Sequence, residues 1–550
     1  MRETYTEITF GLIDTTAKGD GVFSSNGKQT FVDLGQLEDS GTTPTPIFSC
    51  EKNQTILNGT YELVNPNTLQ EYGYWSLGIS DGNGDFTTNP VLTKTFTQYH
   101  TTAGLTLTFG GDSLPQSITI TYYQDNSILD TFTHVVDRFN IILDDLVENY
   151  NKIEIEFVGM TIPSRYVKLT EIVWGVSKSW TKTEIIKANL LEEVNLTSDE
   201  VSTNELEFSV YDRNNDFNIL NPEGVYTALQ ERQELTVTEY FNGTPVNMGK
   251  YYLSEWDSTV NKVAHFKAND MLGLLDNTTF RQFAIWSNKT ASSIFSEIFV
   301  QANITDYNVD NAVASRTLNG YVPLVSIREA LQQVCFALRC SIYCDRNGII
   351  QIKDIGIGTS NDIDKASKLN TKLTQEPLIN SVVVNAYNFT LGTSEELYKE
   401  TLTAGTYEVE VEPSGVKTIT GGTISQQGLN YVIIVVGSTG EVVISGAKYV
   451  ANVSMYTKRA LVYNDLQQVE VKDIYCISKS NGQAVADYVY NDYQRRLTQE
   501  FTLLVEDEKV GDTVDVEIED TTRQGIITKL DIDLTGGYKG ECTVRGGISG

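Results

Sequence analysis

Gly78-Ile79-Ser80-Asp81-Gly82 has the spacing of a serine-hydrolase nucleophile elbow, in which a strand delivers the serine and a helix begins just after it. A strand over Tyr74–Ser80 is expected, but Gly82-Asn83-Gly84-Asp85 follows and no helix can start on such a run, so the segment reads as a β-turn. The same turn sets Asp81, Asn83 and Asp85 at the D-x-N-x-D spacing that can wrap oxygen ligands around calcium. That spacing recurs at Asp212, Asn214 and Asp216. Neither run continues into the glycine and later glutamate of an EF-hand loop, and Asp, Asn and Gly also build turns that hold no ion. Asp81, Asn83 and Asp85 are therefore the metal candidates of this sequence, and no cofactor site accompanies them.

Other reactive groups are sparse. His100, His134 and His265 each fall in or beside an expected strand, with no second His or Cys at ligand spacing, which argues against zinc. Cys335, Cys340 and Cys344 lack a C-x-x-C pair; Cys335 lies on the apolar face of an expected helix, and all three read as buried free thiols. With Cys50, Cys476 and Cys542 they are too scattered for a disulfide framework. The carboxylate pairs Asp144-Asp145 and Glu154/Glu156 invite glycoside hydrolysis, yet among 72 acids such pairs arise by chance. No Walker loop, dinucleotide fingerprint or H-E-x-x-H occurs. The expectation is a protein with no catalytic residues, working through its surfaces.

Those surfaces need elements to carry them. A chain of 550 residues exceeds one hydrophobic core and should form roughly three to five domains. Apolar residues make up 40%, with 29 Tyr and 21 Phe, enough to fill several cores and to argue against disorder. Abundant Thr, Val, Ile and Tyr with frequent Gly and scarce Pro point to many short strands. The net charge of −31, with no Lys/Arg-rich tract, opposes stable binding of nucleic acid or anionic lipid. The first residues lack an apolar h-region, and the longest aliphatic run, Val432 to Val436, has the length of a buried strand, so neither a signal peptide nor a transmembrane segment is expected. The sequons at Asn58-Gly59-Thr60 and Asn242-Gly243-Thr244 then have no glycosylation context.

After an N-terminal segment, 1–45, residues 46–176 read as a β-sandwich. Its strands are Tyr74–Ser80, Leu105–Phe109, Ser117–Tyr123, Lys152–Phe157 and Arg165–Trp174, and Ile153-Glu154-Ile155-Glu156-Phe157 alternates one wet face with one dry. Residues 177–280 form a second β block with a hairpin about Phe241-Asn242-Gly243. The period changes over 281–371, an α+β block with helices Ala291–Ala302 and Ser326–Cys340. The second opens on a Ser326/Glu329 capping box, and a hairpin turning at Asp345-Arg346-Asn347-Gly348 follows. Strands return over 372–550, interrupted by a small β insertion at about 400–450 and a helix, Gln483–Leu497.

Two stretches carry a family resemblance. Glu207-Phe208-Ser209-Val210-Tyr211-Asp212, Phe217-Asn218-Ile219-Leu220-Asn221-Pro222, Gly249-Lys250-Tyr251-Tyr252-Leu253 and Lys267-Ala268-Asn269-Asp270-Met271-Leu272 mark the first. The helix Ala484–Arg496, Val510-Gly511-Asp512-Thr513-Val514-Asp515-Val516 and Leu534-Thr535-Gly536-Gly537 mark the second. In this order, around an α+β centre, they resemble the baseplate hub proteins of tailed phages, prophages and contractile bacteriocin particles, the group that includes the T4-type hub. Separately, Gly104–Phe109, Ile118–Tyr123 and Pro163–Leu169 resemble discoidin-like, galactose-binding-like β-sandwiches.

The resemblance implies a mainly β, multi-domain chain: a discoidin-like sandwich, two hub-type β-barrels and a small α+β domain. It also implies a homotrimer whose six barrels ring the end of the tail tube, in contact with tube protein, other baseplate proteins, the tape measure and a tail fibre or spike. The location implied is the virion tail, assembled in the host cytoplasm. Under the other reading the sandwich is a carbohydrate-binding module that contacts bacterial surface sugars.

Overall fold

The computed structural model describes residues 3–547 except 15, 39–46, 54–72, 103, 144, 214–216, 218–232, 260, 357–360, 462–466 and 536. The chain is mainly β, with several sheets in more than one domain. It divides into a larger unit, Met1–Glu7, Thr181–Asp212 and Thr236–Gly550, and a smaller one, Ile8–Trp180 and Arg213–Leu235.

The smaller unit is built on two sheets. One runs Val22–Ser25, Val91–Thr102, Val147–Met160, Pro115–Gln124, Ser127–Val135; the other runs Tyr74–Trp75, Lys168–Val173, Leu105–Phe109, Asn140–Leu143. Alternation explains the layering: Ile153, Ile155 and Phe157 turn inward to meet Leu105, Leu107 and Leu169, while Glu154 and Glu156 face out. Residues 1–45 do not stay together. Val22–Ser25 pairs with Leu92–Thr95, and Leu34 and Leu37 fill the sandwich core, whereas Thr4–Glu7 belongs to the larger unit.

One expected strand is shorter than its sequence suggests. Tyr74–Ser80 keeps strand geometry only over Tyr74–Trp75, because the Ser76 hydroxyl donates to the Gly78 carbonyl at 2.9 Å and bends the chain away. The expected helix Gln483–Leu497 also stops early, at Tyr493; Leu497 instead starts a strand paired with Gln375 and Gly546.

In the larger unit one sheet follows the path Thr4–Ile13 (its first residues), Glu234–Phe241, Thr244–Thr259, Val263–Asn269, Glu205–Tyr211, Ile185–Glu193, Thr521–Asp533, Lys539–Gly546, Leu497–Leu504, Lys368–Gln375. Thr513–Ile518 branches from Thr521–Asp533 and carries Asn361–Ile363 in parallel. Asn242 and Gly243 both have positive φ, +49° and +84°, the geometry of the two-residue turn joining Glu234–Phe241 to Thr244–Thr259. The two β blocks meet where Asn189–Glu193 pairs antiparallel with Lys529–Asp533.

Four helices, α1 (Ala291–Ala302), α2 (Asn311–Ala314), α3 (Ile327–Leu338) and α4 (Gly482–Tyr493), occur among the described residues. The Ser326/Glu329 capping box is formed in full at the start of α3, and Ile327, Leu331, Val334, Cys335 and Leu338 are buried along its inner face. Beside it the hairpin Ser341–Cys344 and Ile350–Lys353 closes through Asp345, whose carboxylate accepts from the Asn347 and Ile349 amides at 2.8 and 3.0 Å.

The β insertion stands on a long antiparallel ribbon, Ser381–Leu402 against Gly440–Arg459, paired from Ser381↔Arg459 to Leu402↔Gly440 and flanked by Gln468–Val471 and Ser414–Thr420 in one four-stranded sheet. Val409, Val432, Ile434, Val436, Val442 and Ile444 form its own small core. Among its contacts with the α+β part, Arg281 forks onto Glu408 with both bonds at 2.8 Å, and the Leu429 amide donates to the Gln282 carbonyl at 2.8 Å.

Candidate functional surfaces

The seam between the two β blocks is held by a side chain from a third element. Along Ile185–Glu193 the inward positions are Ala188, Leu190 and Glu192, so the strand's period of two places a carboxylate in the interior. Arg346, at the tip of the α+β hairpin, meets it in a bidentate pair at 2.7 and 2.8 Å and also donates to the Glu508 carbonyl at 2.9 Å. Both side chains are buried. Burial works against the guanidinium's charge, but the Glu192 carboxylate outweighs it and holds Arg346 above its ordinary value. One side chain thus ties together a strand of the first block, the hairpin and the loop before Thr513–Ile518. At the edge of the seam Lys529 bonds Glu193 at 2.7 Å.

The insertion has a buried cation of its own. Lys417 lies 3% exposed and donates to the carbonyls of Ser414, Gly415, Gly428 and Leu429 at 2.5 to 3.2 Å. Among the described residues no carboxylate joins them; the ammonium gathers the carbonyls at the start of its own strand and of the turn at Gly428 and Leu429. At the foot of the ribbon Tyr321, Tyr387, Phe389 and Tyr475 pack ring against ring, with Tyr321 and Tyr475 stacked at 5.1 Å.

The residues singled out in the sequence take up separate places. In the Asp81 turn, one carboxylate oxygen accepts from the Asn83 and Asp85 amides at 2.8 and 3.0 Å, and those bonds hold the carboxyl below its ordinary value. The turn is therefore closed by its own backbone. Ser80 is buried, its amide donating to the Arg165 carbonyl and its hydroxyl accepting from the Arg165 amide, so its oxygen points into a bridge between loops. Among the described residues no group of three or more His, Cys, Asp and Glu is placed to hold a metal ion. Asn214, Asp216, Asp144, the Asn58 sequon and Asn218 to Pro222 lie outside the described residues.

His134 bonds Asp145 at 2.7 Å, and His265 bonds Ser209 at 2.7 Å. His100 is the most enclosed: Nδ1 faces Asp14 at 2.8 Å and Nε2 faces Asp20 at 2.9 Å, pinning the loop after Thr4–Ile13 to the sandwich. Glu154 accepts from the Tyr123 hydroxyl at 2.6 Å and Glu156 from the Asn89 amide at 2.8 Å. Cys335, Cys340, Cys344, Cys476 and Cys542 are buried free thiols, and burial raises the pKa of Cys335, Cys344, Cys476 and Cys542. Cys50 is exposed. The sequence reading missed Glu192, although its signal was present, since a charged residue at an inward strand position needs a buried partner of opposite sign. Arg346 gave none; it occupies an ordinary turn.

The fold and these surfaces define a mainly β, multi-domain chain whose fixed points are joints between elements. The solved structures that it is similar to include tail and baseplate proteins. They include a 43 kDa tail protein of prophage MuSo2 from Shewanella oneidensis, at 10% identity and TM-score 0.40 over 67% of this chain and 96% of that one. A tail protein from Neisseria meningitidis matches at 7% identity and TM-score 0.40 over 67% and 93%. Prophage tail protein gp18 from Listeria monocytogenes matches at 8% and 0.39 over 68% and 92%. No family model matches the chain, and no curated protein does.

Proposed function

We propose that the protein is a structural hub of a phage or phage-tail-like particle, a homotrimer whose paired β blocks act as barrels in a ring between the tail tube and the tip. The observation that carries this reading is the seam: two β blocks far apart in sequence are joined edge to edge by Asn189–Glu193 and Lys529–Asp533 and locked by Arg346. Such a joint makes the two blocks one rigid segment, and three copies would supply six. The acid excess suits a conduit that DNA passes without adhering, because like charge repels phosphate. Neighbours in this role are the tube protein, other baseplate proteins, the tape measure and a fibre or spike. The β-sandwich of the smaller unit serves as a discoidin-like spacer or as a contact to surface sugars.

Sedimentation of the purified chain tests the proposal. A species of three times 61.2 kDa that enters particles with tube protein is expected. A monomer that never joins a particle overturns it.

A further inference from the structure

His100, in the smaller unit, is held from both ends of its ring. The side chain is 2% exposed, with Nδ1 2.8 Å from an Asp14 carboxylate oxygen and Nε2 2.9 Å from one of Asp20. A charged carboxylate can only accept, so each ring nitrogen must supply a proton and the ring is an imidazolium. Burial works against the charges of Asp14 and Asp20. Hydrogen bonds outweigh it, from the Thr16 hydroxyl and His100 at Asp14 and from the Thr97 hydroxyl and His100 at Asp20, and hold both carboxyls below their ordinary value. Both therefore stay charged through the neutral range.

The strand is irregular at this point. Val91–Thr102 slips in register against Val147–Met160 between Thr95, opposite Lys152, and His100, opposite Tyr150, so Phe96–Tyr99 stand opposite Asn151 alone. The Thr97 and Gln98 amides of that bulge donate to Asp20 at 3.0 and 3.1 Å. Asp14 accepts from the Thr16 and Ala17 amides at 2.9 and 3.3 Å, and Ala17 sits in the sandwich core. The loop from Asp14 to Asp20 thus closes on the sandwich through two carboxylates with one cation between them.

The other groups around the ring do not titrate near neutrality or are committed elsewhere. Phe96 and Tyr150 wall it at 4.7 and 6.2 Å between centroids, and Tyr122 packs on Tyr150; burial pushes both tyrosines up, so they stay neutral. Asp145, whose charge reaches Tyr122, is bonded to His134 at 2.7 Å. The Thr16 hydroxyl, 3.4 Å from Nδ1, is bonded to Asp14 at 2.5 Å. On the strand itself Lys94 is paired with Glu38 at 2.9 Å, and on the loop Lys18 is exposed.

We propose that His100 is a pH-operated latch: with both ring nitrogens protonated it clamps the loop from Asp14 to Asp20 onto the bulge of Val91–Thr102, and it releases the loop when one ring proton leaves. In the neutral ring one nitrogen turns a lone pair toward a carboxylate oxygen, and two enclosed negative charges lose their common cation. The closed loop binds a proton that the open loop gives up. The latch therefore holds on the acid side of neutrality and opens as pH rises.

Two readouts on the full chain test this. The sequence has three histidines, so the imidazole nitrogen resonances are assigned by loss in His100→Gln, or, should that variant fail to fold, by substituting His134 and His265 in turn. At about pH 6 both His100 ring nitrogens should carry protons shielded from solvent exchange; a singly protonated ring there overturns the proposal. Amide exchange at Thr97 and Gln98, corrected for its intrinsic rise with base, should lose about tenfold or more of its protection between about pH 6 and about pH 9. Asp14→Asn sets an amide donor where the lone pair would point, so protection should persist in that variant over the same range. Unchanged protection in the wild type overturns the latch, and so does an Asp14→Asn chain that opens as the wild type does.

Discussion

Arg346, at a hairpin tip, and Lys417, within the strand Ser414–Thr420, are both buried cations, and they are satisfied in opposite ways. Arg346 reaches across the sequence to a carboxylate on another strand and to a carbonyl near the C-terminal block. Lys417 never leaves its neighbourhood; its four carbonyls all lie within 12 residues of it. The first interaction joins separately built pieces and the second shapes one piece. The contrast teaches that a buried cation is paired with a charge where separate elements must stay in register, and with backbone carbonyls where a small insertion needs only to close on itself.

Breaking the seam should give the largest effect. Arg346→Leu leaves Glu192 buried without its partner and should cost about 3–5 kcal/mol in denaturant unfolding of the larger unit. Replacing both, Arg346→Leu with Glu192→Leu, should recover much of that, since two apolar groups leave no stranded charge. A double variant whose loss equals the sum of the two single losses would mean the pair is not coupled.

A second buried carboxylate near this hairpin sharpens the comparison through pH. Asp270 accepts from the Asn204, Leu272 and Gly273 amides, yet burial outweighs those bonds and raises its pKa to about 6 from an ordinary 3.8. The folded state thus holds this proton more tightly than the unfolded chain does. Its contribution is complete below about 4 and is lost as pH rises through 6, amounting to roughly 3 kcal/mol. In Asp270→Asn that fall in stability between pH 4 and 6 should disappear from the unfolding curves.

Lys417→Met leaves four carbonyls without their donor and should cost about 1–3 kcal/mol. The loss should be confined to the insertion, seen as faster amide exchange at Ser414–Thr420 with the seam unchanged. Smallest of all is Arg281→Gln, which removes a fork onto a partly exposed Glu408 and should cost about 0.2–1 kcal/mol, fading in high salt.

What the sequence made legible was local. The Ser326/Glu329 box and the apolar stripe behind it set α3 to within a residue at its start, because cap and periodicity agree. The alternation at Ile153 to Phe157 gave the sandwich its inner face, and Asp345 to Gly348 gave the hairpin its turn. What stayed hidden depends on distant residues. The sequence reading places no strand at Asn189–Glu193, and nothing in that stretch names Lys529–Asp533 as its neighbour. The length of the ribbon was hidden too: the insertion was read at about 400–450, but its strands start at Ser381 and end at Arg459, because paired main chain continues past the Gly/Thr-rich composition that marked it. Of the candidate residues, the Asp81 turn was legible as a turn, because Asp, Asn and Gly at that spacing close it through their own backbone.

The seam also sets a timetable. During synthesis the stretch Ile8–Trp180 is complete early and holds the whole of the sandwich, so it can fold while the rest is still being made. Ile185–Glu193 emerges soon after and then waits more than 300 residues for the strand that pairs with it. A truncated product therefore exposes an open strand edge with an uncompensated Glu192, a state that invites chaperones and proteases. The joint that ties the two β blocks together is thus also a checkpoint: only a chain translated past Asp533 can close it.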